Sequence, residues 1–235
     1  MMNILHGFTR LLFPPYANCL VCGARRIKAA EPPLCASCAM KLTAAKMPQN
    51  ICERCGHLIT KPGCSFCDKG VARKITWMRA AYVYQDTAAG LVWRLKYSGI
   101  DKAGHILAEE MAHVFLNGHP PPVRLVTSVP IDRKRLYERG GDHARVLALA
   151  VAQVLDLPYE PLLTTHAKQK RQTGLKRAER LKNKKGAYTA TRPIERLGVL
   201  LIDDVLTTGA TAAACADVLL KAGAASVSML CVAFS

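Results

Sequence analysis

The sequence predicts an α/β domain with a parallel sheet over residues 76–235, preceded by a small cysteine-rich domain over residues 1–75. Two observations support this division. From about Trp77 onward, strand-like and helix-like patterns alternate, which is typical of a parallel sheet covered by helices on both faces. Before that point, eight of the ten cysteines lie between residues 19 and 67. We expect the boundary between the two domains at residues 70–76.

The cysteines of the first domain form four pairs of one spacing, C-x-x-C. They are Cys19, Cys22, Cys35, Cys38, Cys52, Cys55, Cys64 and Cys67. Each pair can present two thiolates to one metal ion, and two pairs complete the tetrahedral site typical of structural zinc. A disulfide framework is the alternative, but it requires an oxidising compartment, and the N-terminal segment does not resemble a secretory signal. The spacing therefore favours a zinc-ribbon domain with one or two structural zinc ions.

The short gaps between the pairs favour a sequential grouping, in which the first pair joins the second and the third joins the fourth. A cross-braced arrangement or a single occupied site stays open. Because the segment has few long apolar runs, bound metal would supply much of its folding free energy. The two remaining cysteines, Cys215 and Cys231, lie among small apolar residues, and we expect them to be buried core thiols.

The second domain is predicted from its apolar periodicity and its turn residues. Apolar residues at helical spacing, such as Leu91, Val92 and Leu95, indicate helices, and glycines such as Gly99 and Gly118 end them. Short apolar runs bounded by breakers indicate strands. In chain order, we predict a strand at 79–84, helices at 87–99 and 102–117, a strand at 124–130, a helix at 142–157, a strand at 199–203, a helix at 210–222 and a strand at 226–234.

The segment VLLIDDVLTTGATAA, residues 199–213, places two acids at the end of a buried strand, where ligands bind in parallel α/β sheets. The hydroxyls, backbone N–H groups and positive helix end of residues 207–211 would form a phosphate cradle. A phosphate repels Asp203 and Asp204, so the acids suit sugar hydroxyls or a divalent cation. A ribose 5-phosphate satisfies the whole set. The alternative is an acidic strand end followed by a capped helix.

This segment resembles the phosphoribosyl pyrophosphate (PRPP) motif of type I phosphoribosyltransferases, and it lacks the ending of a Walker A loop. Over nearly its full length, the chain is similar to the ComF family (ComFC and GntX-like proteins). The matching blocks are LKYSG at 95–99, SVPIDRKRLYERG at 128–140, RQTGLKRAERLKNKKGAY at 171–188 and LLIDDVLTTGAT at 200–211. One block departs from the family: where R-G-F-N-Q is usual, residues 139–143 read R-G-G-D-H, so the aromatic residue is missing.

The resemblance implies a type I phosphoribosyltransferase-like domain that binds PRPP with magnesium. The residues that would bind this ligand are Lys96, Gly140, Asp203, Asp204, Val205, Thr207, Thr208, Gly209, Ala210 and Thr211. Asp203, Asp204 and Arg139 are the candidate catalytic residues, the acids for the ribose and the metal and the arginine for the pyrophosphate charge that develops. The resemblance also implies a role in natural competence, in the uptake or processing of single-stranded DNA on the cytoplasmic side of the membrane.

The charge balance favours polyanionic partners, since 33 Lys and Arg residues against 17 Asp and Glu residues give a net charge of +16. Part of this charge is expected on a loop that carries Arg133, Lys134, Arg135 and Arg139. A denser basic segment, residues 168–185, suits either a lid over a phosphorylated substrate or a strip that follows nucleic acid.

A second hypothesis keeps the ligand site without the chemistry. The chain would then be an inactive ligand-binding or scaffold protein that binds single-stranded DNA and partner proteins such as a competence helicase. No apolar run in the sequence approaches the roughly 20 residues of a membrane-spanning helix. With no membrane span predicted, we expect a cytoplasmic protein.

Overall fold

A computed structural model describes residues 18–24, 33–59, 62–68, 70, 73–97, 101–165 and 186–235. The helices are α1 (Ala36–Ala44), α2 (Ser65–Asp68), α3 (Asp86–Tyr97), α4 (Asp101–Asn117), α5 (Arg133–Arg139), α6 (His143–Leu155) and α7 (Ala210–Lys221). The strands are β1 (Trp77–Val83), β2 (Leu125–Ser128), β3 (Leu163–Thr165), β4 (Tyr188–Ala190), β5 (Gly198–Leu206) and β6 (Ser226–Phe234). Within these ranges, no helix is both long and apolar enough to cross a membrane.

Four strands form a parallel sheet in the order β1-β6-β5-β2, which confirms the predicted fold class. Successive side chains of a strand point to opposite faces, so an apolar strand such as β5 feeds two cores. Leu200 and Ile202 pack with α3, α4 and α6 on one face. Val199 and Leu201 pack with α7 and the β3–β4 pair on the other face. The predicted core thiols are both fully buried on this second face.

The cysteine-rich part lies along the outer edge of β1. Near α1, the N–H of Val83 donates to the carbonyl of Ala45, and the N–H of Met47 donates to the carbonyl of Ala81. Further along the strand, the N–H of Met78 donates to the carbonyl of Arg54, in the second cysteine segment. Both parts of the cysteine-rich region therefore pair with a strand that has no sheet neighbour on that side.

The predicted loop at residues 133–139 is wrong, because these residues form helix α5. The carboxylate of Asp132 accepts a hydrogen bond from the N–H of Arg135 at 2.9 Å and caps the helix, and Gly140 ends it with a positive φ of 71°. None of the helix side chains is buried. An apolar periodicity, which would have indicated the helix, is therefore missing from the sequence.

The structure also has a short antiparallel pair, β3 with β4, that was not predicted. Each of these strands has three residues, which is too short for a clear alternation of apolar and polar side chains. The predicted strand at 199–203 continues to Leu206, paired with β6 through to Phe234. The basic segment at 168–185 lies outside the described residues.

Candidate functional site

A cleft of about 170 Å³ opens at the carboxyl end of the sheet. It arises because β2 ends at Ser128, opposite Ile202, whereas β5 continues for four residues. The cleft is lined by Val129, Pro130, Ile131, Asp132, Arg135, Arg139, Asp142, His143, Ala144, Thr165, Tyr188, Asp203, Asp204, Val205 and Thr211. The structure thus brings five of the predicted ligand-site residues together here, namely Arg139, Asp203, Asp204, Val205 and Thr211.

Asp204 is held from two sides. One carboxylate oxygen lies 2.7 Å from Nζ of Lys96, in the last turn of α3, and the other accepts from the N–H of Val205 at 2.5 Å. The N–H of Asp204 itself donates to a carboxylate oxygen of Asp203 at 2.9 Å. These bonds fix both carboxylates at the edge of the cleft. Lys96 therefore reaches the site through Asp204.

The threonine loop joins β5 to α7. Gly209 has a φ of 71°, a left-handed conformation that glycine adopts without strain, and it precedes the first helical residue, Ala210. Thr208 Oγ1 accepts from the N–H of Ala210 at 3.4 Å. Thr211 reaches the cleft, where its side chain is hydrogen-bonded to Tyr188. In the described part of the chain, Thr207, Thr208, Gly209 and Ala210 are not among the lining residues.

Helix α5 and the residues next to it contribute both basic and acidic side chains to the cleft, among them Asp132 and Asp142. Arg139 and Arg135 line the cleft from α5, and Arg135 Nε lies 3.3 Å from a carboxylate oxygen of Asp132. Gly140 ends the helix beyond Arg139 without lining the cleft in the part of the chain that is described. Lys134 is exposed on the outer side of the helix. The cleft is thus lined by two guanidinium groups and by the carboxylates of Asp203 and Asp204, which suits a ligand with both hydroxyl and phosphate groups.

The N-terminal end of α6 contributes two residues that were not selected from the sequence. Asp142 caps the helix by accepting from the N–H of Arg145 at 3.0 Å, and burial raises the pKa of its carboxyl group. His143 is buried beside it, and burial, then the positive charge of Arg139, lowers the pKa of its imidazole. The departure from the family pattern at residues 139–143, interpreted only as a missing aromatic residue, is the sequence signal that could have found this position.

Tyr188 is the third missed residue, and it comes from β4. Burial raises the pKa of its phenol, whose side chain is hydrogen-bonded to Thr211. Tyr188 is the last residue of the block at 171–188 that resembles the family, and this is the sequence signal that could have found it. Its place in the cleft depends on the β3–β4 pair, which was not predicted.

The eight cysteines form two groups, and each group could hold a metal ion. The first is Cys19, Cys22, Cys35 and Cys38; the second is Cys52, Cys55, Cys64 and Cys67. This is the sequential grouping that the short gaps favoured. All Sγ atoms within a group lie within 4.8 Å of one another, and three pairs are 3.4–3.8 Å apart. Four ligands at about 2.3 Å from a zinc ion have S···S separations of about 3.8 Å, so the thiols fit zinc.

In the first group, backbone N–H groups favour the thiolate form of Cys19. Burial disfavours the thiolate of Cys19, but N–H groups of Cys35, Cys22 and Val21 outweigh it and lower the pKa of this thiol to about 6. A thiolate is the form that binds metal. In the second group, Gly56 directly follows Cys55 and has a φ of 65°. A Cβ atom at this position would lie 2.7 Å from the carbonyl oxygen of Met78. The glycine therefore permits the close contact with β1.

No family model matches the sequence. Several curated proteins do match it over most of its length. Competence protein ComFC of Bacillus subtilis (strain 168) is 30% identical over 207 residues, which cover 83% of this chain and 81% of ComFC. DNA utilization protein YhgH of Salmonella typhi is 29% identical over 206 residues, with 84% and 88% coverage. YhgH of Escherichia coli (strain K12) is 27% identical over 221 residues, with 91% and 88% coverage.

Among solved structures, glutamine phosphoribosylpyrophosphate amidotransferase from B. subtilis is 18% identical, with a TM-score of 0.40 over 60% of this chain and 30% of that one. Purine phosphoribosyltransferase from Pyrococcus horikoshii Ot3 is 19% identical, with a TM-score of 0.32 over 60% of this chain and 73% of that one. These scores are too low to support an argument from structural likeness. The sequence relationship with ComFC covers more than four fifths of both chains, and on that basis this chain belongs to the ComF family.

Proposed function

We propose that this chain binds PRPP together with Mg²⁺ in the cleft, as a phosphoribosyltransferase-like protein. One observation carries the proposal: Asp203 and Asp204 stand at the free end of β5, beside the glycine turn that opens α7 and opposite Arg139. The acids would hold the ribose hydroxyls and the metal ion. The loop of residues 207–211 would receive the 5-phosphate at the positive end of α7.

In the proposed pentosyl transfer, the arginines of α5 would have a role of their own. As the bond from C1 of the ribose to the pyrophosphate oxygen breaks, a nitrogen of the acceptor forms a bond to C1. Negative charge then develops on the pyrophosphate, and Arg139 would neutralise part of it, with Arg135 beside it. Lys96 would hold the Asp204 carboxylate in place while the ligand binds.

The cysteine groups would each hold one zinc ion, as structural sites with four protein ligands. Such sites favour a reducing compartment, in which thiols stay free of disulfides. We therefore propose a cytoplasmic location and, since ComFC is a competence protein, a role in natural competence.

Calorimetric titration of the zinc-loaded protein with PRPP and Mg²⁺ tests the ligand. The matched variant is D203N/D204N, which keeps the size of both side chains and removes their charge. We expect the parent to bind and the double variant to lose binding. If neither protein binds, the PRPP proposal is wrong. If both bind equally, the acids are not the ligand site.

The exposed face of α5 favours a second function, the binding of single-stranded DNA. Tyr137 follows Arg133 by four residues and Lys134 by three, so both cations are its neighbours on the helix surface, and the tyrosine is 92% exposed. Cations for phosphates and an aromatic ring for bases are the two elements of sequence-tolerant binding to single strands. Oligonucleotide binding that depends on the ring of Tyr137 is the test of this function.

A further inference from the structure

His143 is an unexplained polar group in the wall of the cleft. Only 5% of its surface is exposed. Its Nε2 atom is buried and, within the described ranges, has no hydrogen-bond partner. A buried polar atom without a partner is unfavourable, and such atoms are rare in folded proteins. The atom therefore points to a partner that joins the protein at this site.

The surroundings of the imidazole define what that partner would be. Arg139 and Lys96 lower the pKa of His143 by their positive charge, in addition to burial, while Asp204 raises it. The ring is thus neutral near pH 7, with one nitrogen as donor and the other as acceptor. Because Lys96 is paired with Asp204, Arg139 is the cation that remains for a ligand, and a cation beside a neutral donor favours an anionic group with several oxygen acceptors.

The position of His143 indicates which part of PRPP it meets. It opens α6, whose N-terminal N–H groups carry partial positive charge. It also follows Arg139 by four residues, with Gly141 between them. A Cβ atom at Gly141 would lie 3.8 Å from Cε1 of His143, so a side chain there would contact the ring. Because residue 141 is glycine, no side chain from this position contacts Cε1 of the His143 ring.

We propose that His143 is a ligand-binding residue of the cleft, whose ring N–H donates a hydrogen bond to the pyrophosphate group beside Arg139. The inference rests on the proposed function and adds a specificity-determining residue to it. The residue is a histidine here, at a position where the related family pattern has glutamine. Both side chains can donate a hydrogen bond, which makes glutamine the natural control.

Calorimetric titration of the full, zinc-loaded chain tests this with three ligands, each with Mg²⁺: PRPP, pyrophosphate and ribose 5-phosphate. The variants are H143L, which cannot form the bond, and H143Q, which can. H113L, on the exposed side of α4, is the control for a change elsewhere. We expect H143L to weaken the binding of PRPP and pyrophosphate by about tenfold or more. Ribose 5-phosphate should bind as in the parent, and H143Q should retain affinity within about threefold.

Equal PRPP affinities of H143L and the parent would overturn the inference. So would equal losses in H143L and H143Q at unchanged melting temperature, since that result excludes the hydrogen bond. An equal loss for ribose 5-phosphate would mean a distorted cleft and would also overturn it. If the parent binds PRPP and H143L binds it equally well, the inference about His143 is wrong but the proposed function stands. If the parent binds none of the three ligands, both the inference and the proposed function are wrong.

A measurement on the unaltered chain covers the case in which H143L does not fold. The ¹⁵N resonances of the His143 ring, assigned by their loss in H143Q, should shift when pyrophosphate and Mg²⁺ are added. Ribose 5-phosphate should leave them in place. Ring resonances that do not respond to pyrophosphate would overturn the inference.

Discussion

The ammonium group of Lys96 lies 2.7 Å from a carboxylate oxygen of Asp204, and the pair joins the end of α3 to the end of β5. The side chains are 16% and 14% exposed, so the pair is far better shielded from water than an ordinary surface ion pair. In such a place, loss of one partner leaves the other charge in a poorly solvated position. The pair therefore affects stability as well as the geometry of the site.

Replacing Lys96 by methionine should lower the free energy of unfolding by about 1–3 kcal/mol, because Asp204 keeps its charge and loses its cation. The matched control is K221M, since Lys221 also pairs with an aspartate, Asp217, but is 75% exposed. That variant should change stability by less than about 0.5 kcal/mol. Urea unfolding at neutral pH measures both. Equal effects of the two substitutions would contradict the proposed difference in shielding.

Acidification should destabilise the parent more than H143Q. Because burial and Arg139 lower the pKa of His143 in the folded chain, the unfolded chain binds more protons once the pH falls below the ordinary histidine pKa of about 6.5. The stability that depends on a neutral ring is therefore complete above that pH and is lost progressively below it. Asp204 opposes this shift and Lys96 supports it.

The measurement is the free energy of unfolding at about pH 7.5 and about pH 5.5, by urea, for the parent and H143Q. Zinc loss on acidification affects both proteins, and the difference between them isolates the histidine. The variant H113Q, altered at an exposed position, should follow the parent. Equal losses in the parent and H143Q would show that the ring does not stay neutral.

Zinc analysis should find two ions per chain, and C55S should retain one. Cys55 is buried in the second group, with its Sγ atom 3.4 Å from that of Cys64. The first group is separate and should keep its ion. The control is C215A, which removes a fully buried thiol outside both groups and should retain two ions. Retention of both ions by C55S would refute the grouping of ligands, and loss of both would mean that the sites are coupled.

Single-stranded DNA should bind to the exposed face of α5 with a strong dependence on salt. Replacing Tyr137 by alanine should weaken binding by about 1–3 kcal/mol, whereas Y137F, which keeps the ring, should bind like the parent. R133Q/K134Q should reduce the slope of log affinity against log salt by about one for each phosphate that the variant no longer neutralises. Fluorescence anisotropy with a labelled oligonucleotide measures all of these. An unchanged affinity of both Y137A and R133Q/K134Q would exclude this face.

The parts of the fold that the sequence predicts well are those whose burial leaves a pattern. Strand β6 was predicted to its ends because it is a short, continuously apolar and buried run, and helix α6 almost to its ends because its buried residues recur at helical spacing. Helix α5 was missed for the opposite reason, since all its side chains are exposed or half-buried. It depends instead on the cap at Asp132 and the turn at Gly140.

The predicted residues that line the cleft come from two segments of the chain, the motif at 203–211 and the block that ends with Arg139 and Gly140. Asp203, Asp204 and Thr211 belong to one continuous motif, and the structure places them in one cleft. His143 and Tyr188 reach the same cleft from a helix start and from a short strand. Their contribution depends on tertiary packing, for which a single sequence gives no distance information.

The pairing of the cysteine-rich segments with β1 has a consequence for solution behaviour. An uncovered edge strand offers its N–H and C=O groups to any other extended chain, and this is a common route to aggregation. Here the residues around Ala45 and Arg54 occupy that edge. If each cysteine group holds the proposed zinc ion, the metal would keep these segments in position, and its removal would release them and uncover the strand. Chelation should therefore produce intermolecular association through β1, so the proposed zinc ions would protect the protein from aggregation.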